Sequence, residues 1–358
     1  MQRMRLLALP ITGLLTLALM PPAEAAPVVG RTGAVAAVAP AGAAPQVSAA
    51  DTSVLRVATF NVRTARATQD KRSWLQRAPD VAREILVRKP AVVMLQELGP
   101  GRADGKKGTL KGRVRQTTSL TNTLRALGGG RYRLVRTTSY FPTGTAHGTQ
   151  GARILYDSSR LKLVSRCPDK TGKKGYNRSC AFDVPVASGD SLQLRRSAAY
   201  AQFADRRTGH RFWVASAHLD SRHSGNDAKE ARFNRLRAAQ AAAVANRVAR
   251  ANRDGLPVIF GGDINSWRTD RGRYAPHRAL VARGYRDTAS APKRRNYAYS
   301  SVNHFKTTLK RSKSGNGVRL DVVMVKGSAR ILAYENKMRR VDPARPSDHN
   351  MGIADLRL

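Results

Sequence analysis

Seven short apolar runs constrain this chain more than any other feature: VLRVATF (54–60), AVVMLQ (91–96), ARILYD (152–157), FWVASAHL (212–219), LPVIFGGD (256–263), RLDVVMV (319–325) and MGIADLRL (351–358). Each has the length and β-branched content of a buried strand. Nearly every run carries, at or near its end, a polar side chain capable of chemistry. Loops leaving a rigid sheet are where such groups are both exposed and held still. Between the runs, residues 73–89 read as a helix starting at Ser73 and stopped by Pro90, with Trp74, Val81, Ile85 and Leu86 as its apolar positions. Residues 228–252 read as a second helix, capped by Asp227 and placing Phe233, Leu236, Val244 and Val248 near one face. Strand, helix, strand from 54 to 96 is a βαβ unit, while residues 152–164 around YDSSR predict a hairpin. The expected fold is therefore an α/β sandwich, with two mixed sheets packed face to face and flanked by helices.

The ends of the chain and its charge bound the setting. Residues 1–25 read as a secretory signal peptide, with Arg3 and Arg5 before the apolar stretch Leu6 to Met20 and a small-residue site at Ala23-Glu24-Ala25. That stretch is shorter than the ~20 residues of a membrane span, so a secreted, extracellular protein without stable membrane insertion is expected. Residues 26–53 are rich in Ala and Pro and read as a disordered linker, leaving 54–358 as one domain. Cys167 and Cys180 are the sole cysteines, and an oxidising exterior predicts a disulfide between them. A formal net charge of +40 exceeds what solubility requires and points to a polyanionic partner such as nucleic acid. No protein partner is implied, and a monomer is expected.

The polar run ends form a chemical set. Asn61 ends the first run, Glu97 follows the second and His218 falls near the end of the fourth; Asp263 closes the fifth, two positions before Asn265. Asp321 interrupts the sixth, and Asp348-His349 precedes the last. Several carboxylates on one sheet edge are costly unless something positive neutralises them, and oxygen ligands without cysteine suit Mg2+, Mn2+ or Ca2+. Hydrolysis of a phosphodiester needs charge neutralisation, a base for water and donors that hold the phosphate, and this set contains all three.

TFNVR (Asn61), LQE (Glu97), SAHL (His218), GGDIN (Asp263, Asn265), RLDVV (Asp321) and SDH (Asp348, His349), in that order, resemble the endonuclease/exonuclease/phosphatase superfamily in its deoxyribonuclease I-like form. The resemblance covers roughly 55–358. It implies a four-layer α/β/β/α sandwich and Mg2+-dependent hydrolysis of phosphate esters, with Mn2+ an alternative and Ca2+ a possible structural ion. It implies Glu97 as the principal metal ligand, with Asp348 as a second ligand or an outer partner. Asn61, Asp263 and Asn265 would position phosphate and water, with Asp263 the favoured base. His349, oriented by Asp321, and His218 would flank the phosphate as acid, base or charge stabiliser. Arg196 sits where the deoxyribonuclease-like branch places an arginine on substrate phosphate. One departure is visible: that branch has a glutamate orienting the histidine at the His218 position, whereas HGTQGAR (147–153) offers Gln150 as the nearest substitute. An amide stabilises a protonated imidazole less, which shifts the expected proton chemistry toward His349.

Fold analogy does not select a substrate. The basic runs 101–115, 169–178 and 306–319, together with the net charge, favour a nuclease acting on DNA or RNA. Trp267, just after the GGDIN stretch, is either a base-stacking group or a loop side chain packed on its own strand end. The rivals are a sphingomyelinase-type lipid phosphodiesterase or a phosphatase, and a non-catalytic nucleic-acid-binding protein. The lipid enzyme would show an exposed apolar hairpin.

Overall fold

The computed structural model describes residues 53–66, 71–108, 110–137, 151–167, 180–190, 195–268 and 274–358. The signal stretch, the linker up to residue 52, Gln150 and the basic run 169–178 lie outside them.

β1 (Val54–Asn61) leads through α1 (Trp74–Arg88) to β2 (Val92–Gln96), which lies parallel to β1, as a βαβ unit requires. Ser73 and Gln76 close a reciprocal capping box at the start of α1; the helix stops where Lys89 turns left-handed ahead of Pro90. α2 (Gln116–Ala126) follows, then β3 (Tyr132–Leu134), β4 (Arg153–Asp157), β5 (Leu161–Leu163), β6 (Ala181–Asp183), β7 (Ser197–Asp205) and β8 (Arg211–His218). α3 (Asp227–Ala251) leads to β9 (Val258–Asp263), and α4 (Ala275–Val281) to β10 (Arg286–Asp287) and β11 (Lys293–Arg295). The chain ends in β12 (Asp321–Lys326), β13 (Arg330–Lys337) and β14 (Met351–Arg357).

These strands form two seven-stranded mixed sheets. The first runs β11-β13-β14-β1-β2-β4-β3; the second runs β10-β12-β9-β8-β7-β5, with β6 also on β7. Alternation along each strand then makes four layers. Val57, Met94 and Ile154 of the first sheet meet Val214, Ile259 and Val323 of the second in a buried inter-sheet core. The opposite faces carry helices: Phe60, Val93 and Leu95 pack on Trp74, Val81, Ile85 and Leu120, while Ala215, Phe260 and Met324 pack on Val244, Val248 and Leu280.

Three local expectations are corrected. The YDSSR turn does not close a hairpin: β4 pairs with β2 and β3, whereas β5 pairs with β7, so the chain changes sheets there. Asp157 is held by Arg131 (2.7 Å) on the first-sheet side, and Arg160 is drawn to Asp205 on the second (2.6 and 2.8 Å), so the two ends of the turn are fixed to different layers. The cap of α3 is Asn226, whose side chain accepts from the Lys229 amide at 3.0 Å; Asp227 is the first helical residue. Phe233 is only half-buried on α3, beneath the Arg222 guanidinium, rather than on the core-facing stripe of Leu236, Val244 and Val248. Cys167 and Cys180 form a disulfide packed at the margin of the inter-sheet core. Among the described residues no helix is long and apolar enough to cross a membrane.

Candidate active site

The inter-sheet core turns polar in step as its strands approach one edge. The inward parity reads Val57, Thr59, Asn61 on β1 and Met94, Gln96 on β2; on the second sheet it reads Val214, Ser216, His218 on β8 and Ile259, Gly261, Asp263 on β9. β12 runs the other way and begins on Asp321 before Val323 and Val325. Cross-strand register places His218 opposite Asp263 and Asp263 opposite Asp321, so the three form one row across adjacent strands. Beneath them a polar layer joins the sheets: Thr59 donates to Gln96 (3.3 Å), whose amide donates to Ser216 (3.3 Å).

The glycines of VIFGGD follow from this packing. A Cβ on Gly261 would lie 2.3 Å from Met94 Cε of the facing sheet, and one on Gly262 would lie 2.4 Å from the carbonyl oxygen of Ala217 on β8.

Asn61 links the two sheets chemically. Its Nδ2 donates to Glu97 Oε1 at 3.2 Å and to Asp263 Oδ2 at 3.0 Å, while its Oδ1 accepts from the Arg63 amide at 3.1 Å. Glu97 leaves β2 in the left-handed region (φ 58°), and its Oε2 accepts from the Thr64 amide at 2.9 Å. Asp348 stands at the mouth, 3.3 Å from the Arg63 guanidinium, and accepts from Ser347 Oγ at 3.2 Å. Ser347 also donates to the Asn61 carbonyl at 2.6 Å, which ties the loop before β14 to the end of β1.

An aspartate–histidine pair lies alongside. His349 Nδ1 is 2.8 Å from Asp321 Oδ2, which also accepts from Ser301 Oγ at 2.7 Å. Burial works against a charged His349, but the carboxylates of Asp321, Asp263 and Asp348 hold its pKa well above the imidazole range. Asp263 Oδ2 lies 3.8 Å from His349 Nε2 and 3.6 Å from His218 Nε2. Burial raises the Asp263 carboxyl above its ordinary range and the Asp321 charge adds to this; His349 and the Asn61 hydrogen bond oppose it.

Asn265, left-handed at φ 46°, donates its backbone amide to Asp263 Oδ1 and its side-chain amide to the Leu219 carbonyl, both at 3.0 Å. It thereby fixes both the Asp263 rotamer and the loop after β8. Arg196 donates to Ser221 Oγ at 2.8 Å, and its Nη1 is buried without a hydrogen bond to any described residue. Burial pulls its pKa down while the charges of Asp220, Asp263 and Glu97 pull it up.

The tightest carboxylate and imidazole group among the described residues is Asp263, Asp321 and His349, with candidate ligand atoms all within 4.8 Å. Within it Asp321 and His349 share a hydrogen bond, and the three together are a set that could hold a metal ion. Glu97 offers a second place for a hard divalent cation. There two buried carboxylates, Glu97 and Asp263, converge on one neutral amide with no sulfur donor nearby, a set that calls for positive charge. Asp348, engaged by Arg63 and Ser347, suits an outer position.

Asn61, Glu97, His218, Asp263, Asn265, Asp321, Asp348 and His349 thus come together at one sheet edge, while Gln150 lies outside the described residues. Residues not singled out from sequence are Arg63, Ser301, Asn303 and Ser347. Arg63 and Ser347 lie inside quoted motifs. Asn303 had no local signal, yet its side chain donates to the Ser347 carbonyl (3.1 Å) and to Asn350 Oδ1 (3.0 Å), and its amide donates to the Asp348 carbonyl (2.7 Å).

Two facing mixed sheets between helices, with an acid, amide and histidine cluster at one open edge, define the architecture of the phosphoester hydrolases that work with divalent metals. The chain belongs to the Endonuclease/Exonuclease/phosphatase family, whose model matches residues 58–349. Similar solved structures include an endonuclease/exonuclease/phosphatase from Bacteroides vulgatus (17% identity, 85% of this chain and 99% of that one, TM-score 0.60). A mannosyl-6-phosphatase from Bacteroides thetaiotaomicron is 21% identical over 84% of this chain and 99% of its own, with a TM-score of 0.58. The human Nocturnin catalytic domain is 16% identical over 85% and 94%, with a TM-score of 0.52. At these identities the likeness is one of fold. No curated protein matches the sequence.

Proposed function

We propose that this protein is a secreted phosphodiesterase, dependent on Mg2+ or a similar divalent cation, that hydrolyses nucleic acid. The observation that carries the reading is the Asn61 amide joining Glu97 to Asp263 beside the Asp321–His349 pair. Glu97, with Asp348 beyond it, would hold the cation, which would supply charge neutralisation at the phosphoryl oxygens. Asp263, raised by burial toward neutral pH, accepts the proton of a water whose oxygen bonds to phosphorus. His349, kept protonated by Asp321, stabilises the developing negative charge, and His218 stands on the far side of the same carboxylate. Arg196 offers its unbonded Nη1 to the substrate phosphate. The ester oxygen leaves with the electron pair of the broken P–O bond.

Charge supports nucleic acid as the substrate. Beyond the net +40, the described parts of two basic runs leave the site edge: Lys106, Lys107, Lys111 and Arg113 follow Glu97, and Lys306, Lys310, Arg311 and Lys313 follow Asn303. All eight are exposed. The large exposed apolar side chains among the described residues, such as Leu75, Val87 and Val341, are scattered rather than gathered into a lipid-entering hairpin.

The test incubates the protein with plasmid DNA, RNA, sphingomyelin and a sugar 6-phosphate, with Mg2+ and with chelator. Cleavage of nucleic acid that stops with chelator is expected. Turnover of the lipid or the sugar phosphate alone rejects the reading.

A further inference from the structure

We propose that Trp267 and His223 form a stacking wedge for a nucleobase beside the scissile phosphate, which makes the substrate a base-bearing phosphodiester; this rests on the nuclease reading above. Of the three tryptophans, Trp74 and Trp213 are buried and Trp267 is half-exposed. Its ring centroid lies 5.4 Å from that of His223 at an interplanar angle of 49°, so the rings meet as an open wedge and not as a closed stack.

The wedge adjoins the site. Trp267 is two residues past Asn265, which holds the Cα atoms within about 7 Å of each other. His223 sits on the loop after β8, which Asn265 grips at the Leu219 carbonyl and Arg196 touches at Ser221. That loop is braced far more than a connection needs. Fully buried Arg237 donates to the Arg222 carbonyl (2.6 Å), to Glu230 (2.7 Å) and to Asn234 (2.7 Å). Glu230 in turn accepts from the Ser224 amide at 2.7 Å and lies 3.3 Å from His223 Nδ1. Arg222 clasps both Asp190 and Asp220.

Buried ion pairs contribute little net stability, but they hold a surface in one shape, and a rigid aromatic face loses little freedom when a base stacks on it. An exposed indole also receives sugars. The cationic surface favours the polyanionic ligand over a single sugar phosphate.

The test uses a short DNA oligonucleotide and a strand of the same length in which tetrahydrofuran replaces every nucleoside, so that bases alone are missing. With chelator present, the oligonucleotide is expected to quench the fluorescence of the wild type and not that of Trp267→Phe, and the base-free strand to quench neither. Under turnover, Trp267→Ala is expected to raise KM for the oligonucleotide about tenfold, with kcat within about twofold, and Trp267→Phe to restore most of the loss. Equal quenching by the base-free strand or by a sugar 6-phosphate, or an unchanged KM in Trp267→Ala, overturns the wedge. The quenching arm needs no turnover, so it judges the wedge separately from the nuclease reading.

Discussion

Replacing Asp321 with Asn keeps the side chain's shape and removes one buried charge from the centre of the site. Asp321 Oδ2 faces His349 Nδ1 at 2.8 Å and accepts from Ser301 at 2.7 Å, so the amide inherits both contacts. An amide stabilises imidazolium much less than a carboxylate, and with its nitrogen turned inward it selects the wrong tautomer. Positioned proton transfer is worth roughly 10²–10⁴ in rate, so kcat is expected to fall by that factor, about 3–5 kcal/mol of barrier. The direction with pH follows from His349. Burial opposes its charge, yet Asp321, Asp263 and Asp348 together keep its pKa well above the usual value, so the protonated form persists as pH rises. Loss of the Asp321 charge lowers that pKa, and the alkaline limb of kcat moves to lower pH. Plasmid nicking from about pH 5 to about pH 10, spanning the ordinary histidine range, reads both effects. A variant with kcat within about tenfold of wild type and an unmoved alkaline limb refutes the assignment of Asp321 and His349.

Glu97→Gln is expected to abolish turnover with the chain still folded, since the amide oxygen keeps the Thr64 contact although its nitrogen then faces the Asn61 amide; isothermal titration with Mg2+ should show the lost cation site. Asp287→Asn addresses stability. Burial alone would raise this carboxyl, but His277 at 3.0 Å and Arg319 at 2.9 and 3.1 Å outweigh it and hold it well below its usual value. A depressed carboxylate stabilises the fold above its unfolded pKa of about 3.9 and loses that contribution as pH falls through the folded value. The Asn variant, which leaves Arg319 buried and unpaired, should therefore lose about 3–5 kcal/mol near neutral pH, and the gap should narrow in strong acid when urea midpoints are compared. Cys167→Ser opens a bridge that spans 13 residues of sequence, and thermal unfolding should reveal a loss of about 3 kcal/mol that reductant reproduces in the wild type.

Much of the molecule is decided locally. The strands that carry the site are short β-branched runs whose length and flanks leave little alternative, and α1 announces itself through Ser73, Gln76 and Pro90. The functional side chains are legible for the same reason: a polar group at the end of a buried run breaks an apolar pattern without an evident gain in stability.

The rest depended on what each segment meets in space. β7, with the sequence SAAYAQFAD, is a central strand rich in alanine, a weak strand former, and no alternation marks it because both faces are buried against other layers. The turn after β4 looks like a hairpin in any local reading; the ladder of β5 with β7, the burial of Leu161 and the Arg160–Asp205 pair hold β5 in the other sheet. The loop after β8 gives no linear sign that Arg237 and Glu230, far along α3, will brace it.

Sequence by itself determined which side chains carry charge, amide or imidazole, and that they stand at strand ends, because periodicity and composition are properties of the chain. Tertiary structure alone decided that Asn61 touches both Glu97 and Asp263, and that His218, Asp263 and Asp321 form one row. The physical reason is that hydrogen bonds and charge interactions act over a few ångströms, and register between strands distant in sequence sets those distances.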